Sequence, residues 1–589
     1  MKRFGPVAIV LAWFLFLIHR AFRETFDADD ITNLVIPWLR GYGTVVKGAV
    51  LFFTGAIRPL GGLFYMVVYQ FAGFWSVPFR LAAIALLVLN LVLLYAVFRR
   101  LNPARGFAVV ALLFVCYNSD MSDMYMSTGT VYDTLGLTFT ALALLCVMRD
   151  RPRWLLAALC TIAAVDSKEM GVAIPAIILA YELLLRPKPR FPAVVSTGIV
   201  AAAFLFSRLA VHNELSDHPA YQLTITWHRY LETTTAYVNN AAIGMNAKGH
   251  ISGIVSICLL LFGLALALLL RNRLMLFGWC YYAVAVLPMS FATPRAGYAI
   301  YIPYAGVAIY LAAAIFNRHW QRAAPILTAI AICAIAANQY AHARRLAKQN
   351  SDHPGGQPAV MLVADGISKL VPKMPKGAHL LLINDPFAED EELPHSTLRL
   401  RYRDPALSTT KLVWNKSGRI VYPPETFDHV FLFSPDSVVE LPNHQDEADA
   451  SPVGKPLSYI TMRSPSADHS IVKDIGGNDG SSHRWVNQDP ELIFRVPNGP
   501  AHFEMTYTVP PVILAQTKTL DIDAWIAGKP APPIHISESK HYTYTAPLPP
   551  NAKPGDLVTV RFHVRNPYIA KGDGAKLAFL LAAAGFVPD

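Results

Sequence analysis

A run of acids, FDADDITNLV, begins at Phe26 and carries Asp27, Asp29 and Asp30. A further carboxylate, Asp133, closes STGTVYD, and Lys168 and Glu169 stand together in DSKEMG. Arg295 falls in TPRAGYAIYIP, ahead of Tyr298 and Tyr301, and Arg58 opens RPLGGLFY. All of them lie between apolar runs, where an ionised group is costly unless it is paired or hydrated, so each is a candidate for chemistry. A carboxylate in such a place can take a proton, and Lys or Arg can neutralise an anion. Taken singly, each has a plainer reading. Asp29 could cap the helix beginning ITNLV, Asp133 could cap the next apolar segment, and Lys168 could snorkel. Their sidedness distinguishes them as a group, and that depends on the elements that carry them.

The chain has 589 residues, 53% hydrophobic and only 16% charged, with a mean hydropathy of +0.35. That is too apolar for an ordinary soluble enzyme. The apolar residues are bunched before about residue 341, in runs such as LAAIALLVLNLVLLYAVF and LLLFGLALALLL, which approach the roughly 20 residues of a spanning helix. MKR followed by FGPVAIVLAWFLFLI, with no small-x-small cleavage site, reads as an uncleaved anchor. Short basic loops hold Arg99, Arg100 and Arg105, then Arg149, Arg151 and Arg153, then Arg186, Lys188 and Arg190, then Arg271 and Arg273, then Arg318 and Arg322. Positive loops stay cytoplasmic. The alternation closes only if segment 57–77 lies on the membrane surface instead of crossing it. About eleven spans follow from this, with the tail outside. The acidic run, YNSDMSDMYMSTGTVYD, DSKEMG, the 210–250 loop, TPRAGY and the tail then share one face.

The six cysteines fall in or beside apolar segments, so the tail has no disulfide framework, and no Cys-His metal spacing occurs. The net charge of +10 fits basic loops against anionic headgroups. No basic patch with interleaved aromatics supports nucleic-acid binding. The expected fold class is an α-helical polytopic membrane protein with a C-terminal soluble part. Residues 1–341 form the membrane domain, 342–360 a Gly/Pro linker, 361–450 a small α/β segment, and 451–589 a β-sandwich of jelly-roll type read from ELIFRV, HFEMTYTV, TLDIDAWI and VTVRFHV. Such a sandwich binds carbohydrate, covers an active site or is passive.

Several motifs, in order, resemble those of the GT-C glycosyltransferases, which use polyprenyl- or dolichyl-phosphate sugars. The similar branches are the protein O-mannosyltransferases, the lipid A aminoarabinose transferases and the TPR-bearing O-mannosyltransferases. DADD is similar to the acidic motif of the first loop, RPLGGLFY to the surface-helix RPL motif, and YDTLGLTF to the second-loop Asp. SKEMG resembles KE-x-G, and RAGYAIYIPYAG resembles R-x-x-Y-x-P-S-x-G. The resemblance covers about residues 1–341; it departs in having three Asp in the acidic motif and no TPR-like repeat. It implies an inverting glycosyltransferase on the periplasmic face of a bacterial inner membrane, taking a polyprenyl-phosphate sugar to an acceptor hydroxyl on glycan, lipid or protein. Asp29 would be the base with Asp30 close behind, and Asp133 would orient the acceptor or help hold a metal. Lys168 and Arg295, with help from Arg58, would neutralise the phosphate, and Glu169 belongs to the same motif. Tyr298 and Tyr301 would line the donor pocket or, slightly favoured, form an interfacial aromatic belt. No cofactor is demanded, although Asp29, Asp30 and Asp133 offer oxygen ligands for Mg2+ or Mn2+. The competing readings are a flippase for lipid-linked sugars and an inactive glycan-binding scaffold.

Overall fold

The structure is a computed structural model. It describes residues 5–589 except 51, 53–57, 211–222, 243–251, 353–358, 388–391, 413–426, 435–436, 442–456, 463–464, 477–482, 551 and 571–574. The chain divides into two compact units, Met1–Gly355 and Gly356–Asp589.

The first unit is helical. It opens with α1 (Gly5–Leu17) and three short helices, α2 (Ala28–Arg40), α3 (Tyr42–Val50) and α4 (Pro59–Ala72). Proline at the first turn starts α4 and Gly73, at φ 65°, ends it. At 14 residues α4 is short of a span. The long α5 (Ser76–Leu101) leads to α6 (Arg105–Cys116), α7 (Ser122–Met126) and α8 (Val131–Val147). Then come α9 (Trp154–Ser167), α10 (Ile174–Leu184) and α11 (Pro192–Ala210). The unit closes with α12 (Trp227–Ala242), α13 (Gly253–Leu269), α14 (Arg273–Val286), α15 (Tyr301–Ile315) and α16 (Ala324–Asp352). The 210–250 stretch read as a loop therefore contains α12; its flanks lie outside the described residues.

Two corrections concern length. Among the described residues three helices are long and apolar enough to cross a membrane, or four if the bent pair α6–α7 counts as one, against an expectation of about eleven. The shorter apolar helices have 10–17 residues, α11 counted over Pro192–Arg208. A hydropathy run continues through a break that a helix does not survive. The apolar stretch after Lys168 begins as a 3-10 turn, Glu169–Ala173, before α10, and α14 passes into another at Leu287–Met289, which contains a proline. The second correction is that the linker expected from 342 starts as helix, because α16 continues to Asp352.

Polar side chains inside the apolar bundle are tied across helices, as they must be where water is scarce. Asn90 of α5 is fully buried. Its amide donates to the Thr134 carbonyl at 2.8 Å, and its oxygen accepts from Thr138 of α8 at 2.7 Å. Gln339 of α16 accepts from Trp13 of α1 at 2.9 Å and donates to the Leu113 carbonyl at 2.7 Å. The basic residues gather at one end. Arg100 donates to the Leu145 carbonyl, Arg186 to those of Val147 and Arg149, and Arg190 to that of Asp150. Cations there suit the negative helix ends. Because α8 and α9 are joined at that basic end, the first turn of α8 and the last turn of α9 meet at the other.

In the second unit α17 (Ala359–Leu370) and α18 (Leu393–Tyr402) accompany a four-stranded sheet of β1 (His379–Ile383), β2 (Ser408–Leu412), β3 (His429–Ser434) and β4 (Ser437–Leu441), in the order β2-β1-β3-β4. The β-rich part has β5 (Tyr459–Thr461), β6 (Ile471–Ile475), β7 (Arg484–Arg495), β8 (Ala501–Thr508), β9 (Leu520–Ile526), β10 (Lys529–Ile536), β11 (His541–Pro547), β12 (Leu557–Val564) and β15 (Phe579–Pro588), besides a separate β13–β14 ribbon (Tyr568–Ile569, Lys576–Leu577) and α19 (Pro511–Thr517). Where a sandwich is expected, the strands form one antiparallel hydrogen-bonded network, ordered β10-β9-β12-β7-β15-β8-β11 with β5 and β6 attached. Its terminal strands approach each other, Tyr544 of β11 donating to the Pro532 carbonyl of β10 at 2.8 Å. Alternate residues such as Ile522, Ala524 and Ile526 face inward to one core.

Candidate active site

The acidic run starts α2. Asp27, not Asp29, is the cap: its carboxylate accepts from the Asp30 amide at 2.9 Å, and Asp30 reaches back to the Asp27 amide at 3.3 Å, a capping box. Asp30 is 1% exposed. Tyr65 of α4 donates to it at 3.1 Å and Arg80 of α5 pairs with it at 3.4 Å, while Arg80 also donates to the Thr25 carbonyl at 2.6 Å. Burial and the charge of Asp27 raise the Asp30 carboxyl to about 7, against the opposing pull of Arg80 and its hydrogen bonds. Asp30 thus holds the start of α2 against α4 and α5.

Asp29 is exposed between these two neighbours. It lies against Gly129, where a Cβ would come 3.0 Å from the Asp29 Cβ. Partial burial, followed by the charges of Asp27 and Asp123, raises its carboxyl above the ordinary value. Gly129 belongs to the turn before α8, so Asp29 stands close to where Tyr132 and Asp133 begin that helix.

Lys168 ends α9 in an extended conformation, φ −152° and ψ 137°, which lets it and Glu169 serve different partners. Lys168 is 6% exposed, and its Nζ lies 2.8 Å from Oδ2 of Asp133, which is 2% exposed. The ammonium also stands 5.5 Å from the Tyr298 ring centroid. Glu169 receives Arg58 through two nitrogens, Nε at 2.9 Å and Nη2 at 2.9 Å. Burial raises the Glu169 carboxyl, but Arg58, its hydrogen bonds and Lys168 outweigh this and bring it down to about 2. Its side chain keeps 37% of its surface open. Arg58 itself is left-handed, φ 48°, ahead of Pro59, and its guanidinium stands 5.7 Å from the Tyr132 ring centroid. Tyr132 fits because Gly61 lies beneath it: a Cβ at Gly61 would collide with its ring. Two sequence neighbours, Tyr132 and Asp133, are therefore matched with two others, Tyr132 with Glu169 by way of Arg58 and Asp133 with Lys168 directly.

The structure thus brings Arg58, Asp133, Lys168, Glu169 and Tyr298 together, with Asp29 beside the turn that leads to them. Arg295 is close enough to Tyr237 of α12 to act on it electrostatically, as are Tyr298 and Asp133. The belt reading fails for Tyr301, which is 3% exposed and accepts from Asn90 at 3.3 Å. The snorkelling reading fails for Lys168, which is buried and paired. Sequence reading missed Tyr65, Arg80, Tyr132 and Arg208. Arg208 of α11 couples electrostatically to Glu169 and Arg58. Arg80 and Arg208 had a signal, each being a lone cation at the edge of an apolar run; the tyrosines had none.

A cavity of about 480 Å3 lies among α6 and α12–α16. Phe114, Leu259, Val307 and Leu311 give it an apolar body, and Asn118 and His342 lie in its polar part. Val238 of α12 lines it, one residue from Tyr237.

Two of the three Asp residues named as metal candidates are committed to different partners: Asp30 goes to Tyr65 and Arg80, and Asp133 to Lys168. Among the described residues no group of three His, Cys, Asp or Glu is placed to hold a metal. This donor set does not fit a bound Mg2+ or Mn2+.

No family model matches the chain, and no curated protein matches it. Among solved structures, the crystal structure of ArnT from Cupriavidus metallidurans bound to undecaprenyl phosphate is similar at 14% identity and a TM-score of 0.39, over 69% of this chain and 85% of that one.

Proposed function

We propose that the chain is an inverting glycosyltransferase of the membrane, moving a sugar from a polyprenyl-phosphate donor to an acceptor hydroxyl. The observation that carries the reading is the exposed Asp29 carboxylate beside the turn that leads to a cluster holding Arg58 and Lys168. An acceptor hydroxyl needs a proton acceptor within reach, and a departing phosphate needs positive charge.

Asp29 takes the proton from the acceptor hydroxyl, whose oxygen attacks the anomeric carbon as the bond to the phosphate oxygen breaks. A single displacement inverts the anomeric configuration. Lys168 and Arg58, held by Asp133 and Glu169, stabilise the phosphate that leaves, and Arg295 adds a second guanidinium fork. Asp30 fixes the α2 terminus that presents Asp29. The apolar cavity takes part of the lipid chain. The active face is periplasmic, and the membrane is a bacterial inner membrane.

The test is transfer from radiolabelled polyprenyl-phosphate sugars to a membrane extract by the purified protein in lipid nanodiscs, with the anomeric configuration of the product read by NMR. Inverted product supports the reading. No transfer from any donor, with lipid-linked sugar crossing reconstituted vesicles instead, overturns it.

A further inference from the structure

Helices α2, α3 and α4 pack on one another as a layer of the first unit, and the transfer mechanism makes no use of its outer face. Pro37 of α2 and Val45 of α3 lie against Gly62 of α4. The Tyr42 hydroxyl of α3 donates to the Met66 carbonyl of α4 at 2.9 Å. The inner face is apolar and buried, through Ile31 and Leu34 of α2 and Tyr65 and Met66 of α4.

The outer face is apolar as well. Ile36 and Leu39 of α2, Tyr42 and Val46 of α3, and Val67 and Phe71 of α4 are all exposed, Phe71 by 88%. Each pair is spaced three or four residues apart, which sets it on one side of its helix. Exposed apolar stripes on three adjoining helices are more than the scattered hydrophobics of a wetted surface. The helices have 13, 9 and 14 residues, short of the roughly 20 that a span needs. Their stripes therefore suit the boundary between headgroups and acyl chains, not the bilayer centre.

The charge of the layer selects the headgroups. From Ile31 to Ala72 the sequence holds no Asp or Glu, and its cations are Arg40, Lys47 and Arg58. Arg58 is committed to Glu169, whereas Arg40 and Lys47 are exposed on the helices that carry the stripes. Asp29 stands roughly 16 Å from Arg40 along the axis of α2, so it does not offset that charge. A symmetric contact with a second copy would gather these cations with no acid between them. An anionic surface meets both the charge and the apolar stripes. We infer that the outer face of α2–α4 lies in the membrane interface and binds anionic phospholipid headgroups through Arg40 and Lys47, with the apolar stripes among the first acyl carbons.

The test is hydrogen exchange with mass spectrometry on the full chain in nanodiscs of phosphatidylcholine, with and without phosphatidylglycerol. It resolves α2–α4 peptide by peptide and needs no transfer activity. The inference expects α2 and α3 to exchange about fivefold or more slowly with phosphatidylglycerol, each cation near an anionic surface being worth about that factor. The difference vanishes in Arg40→Gln with Lys47→Gln. It persists in Arg149→Gln with Arg151→Gln, which removes equal charge from the loop between α8 and α9. Phe71→Ser quickens exchange in α4 in both lipids. Should Arg40→Gln disturb the fold, Lys47→Gln alone decides. Exchange in wild type that ignores phosphatidylglycerol overturns the inference. So does a difference that survives in the Arg40 and Lys47 variant, or one that is lost in the Arg149 and Arg151 variant, or α4 exchange unchanged by Phe71→Ser.

Discussion

Lys168 and Asp133 meet at 2.8 Å between the end of α9 and the start of α8, and both are buried. A buried ion pair contributes little net stability over an apolar pair of the same shape, yet breaking it is expensive because one charge is left alone. Such a pair is better understood as a means of holding charge where chemistry needs it.

Lys168→Met is therefore expected to destabilise the protein by about 3–5 kcal/mol, since it strands the Asp133 carboxylate. The double variant Lys168→Met with Asp133→Leu recovers most of that loss but no transfer activity. Chemical unfolding of wild type, both single variants and the double variant closes the cycle. An additive double variant contradicts the coupling.

The Arg58–Glu169 pair sets an acid limit. Glu169 is held at about 2 in the folded chain against 4.5 for the free group. A carboxyl depressed in this way adds stability that is fully present above about pH 4.5 and is lost as pH falls toward about 2. Glu169→Gln lowers the melting temperature at pH 7, and its gap to wild type narrows below pH 4.5. A gap constant from pH 7 to pH 3 contradicts the pair.

Asp30 behaves in the opposite sense. Its carboxyl is raised from 3.8 to about 7, so the folded chain keeps the proton longer than the unfolded chain does. This group's contribution is most favourable below about pH 3.8 and declines as pH rises toward 7. Asp30→Asn flattens that part of the stability profile. Melting curves between pH 4 and pH 8 measure it, and an unchanged slope contradicts the assignment.

Gly61→Ala places a methyl against the Tyr132 ring. Overpacking of this kind costs about 1–3 kcal/mol. Displacing Tyr132 also disturbs the seat of Arg58, so transfer falls at least tenfold. Kinetics alongside melting separate the two effects; a stable variant with full activity removes Tyr132 from the site.

The sequence made the site's charged members legible because ionised groups stand out against apolar runs. Asp133, Lys168, Glu169 and Arg58 were all visible in this way. The pairing was not visible: Lys168 and Glu169 are neighbours that diverge, and only the extended backbone at Lys168 separates their partners. The roles of Asp27, Asp29 and Asp30 were equally hidden, because which acid caps, which is buried and which stays open depends on Tyr65 and Arg80, far along the chain. The helical class and the β-rich tail followed from hydropathy and alternation. Helix lengths did not, since an apolar run does not record the 3-10 turn that interrupts it. The strand order of the β-rich sheet depends on pairings between strands far apart in the chain, such as β15 with β8, which no local pattern encodes.

The central claim is that Asp29 is the base while Asp30 is the residue that positions it. The most direct measurement is transfer from a polyprenyl-phosphate sugar by wild type, Asp29→Asn and Asp30→Asn, with folding checked by melting. The account predicts a loss of about 100- to 10,000-fold for Asp29→Asn at native stability, and for Asp30→Asn a smaller loss accompanied by altered stability. Full activity in Asp29→Asn, with activity abolished in a stably folded Asp30→Asn, would contradict it.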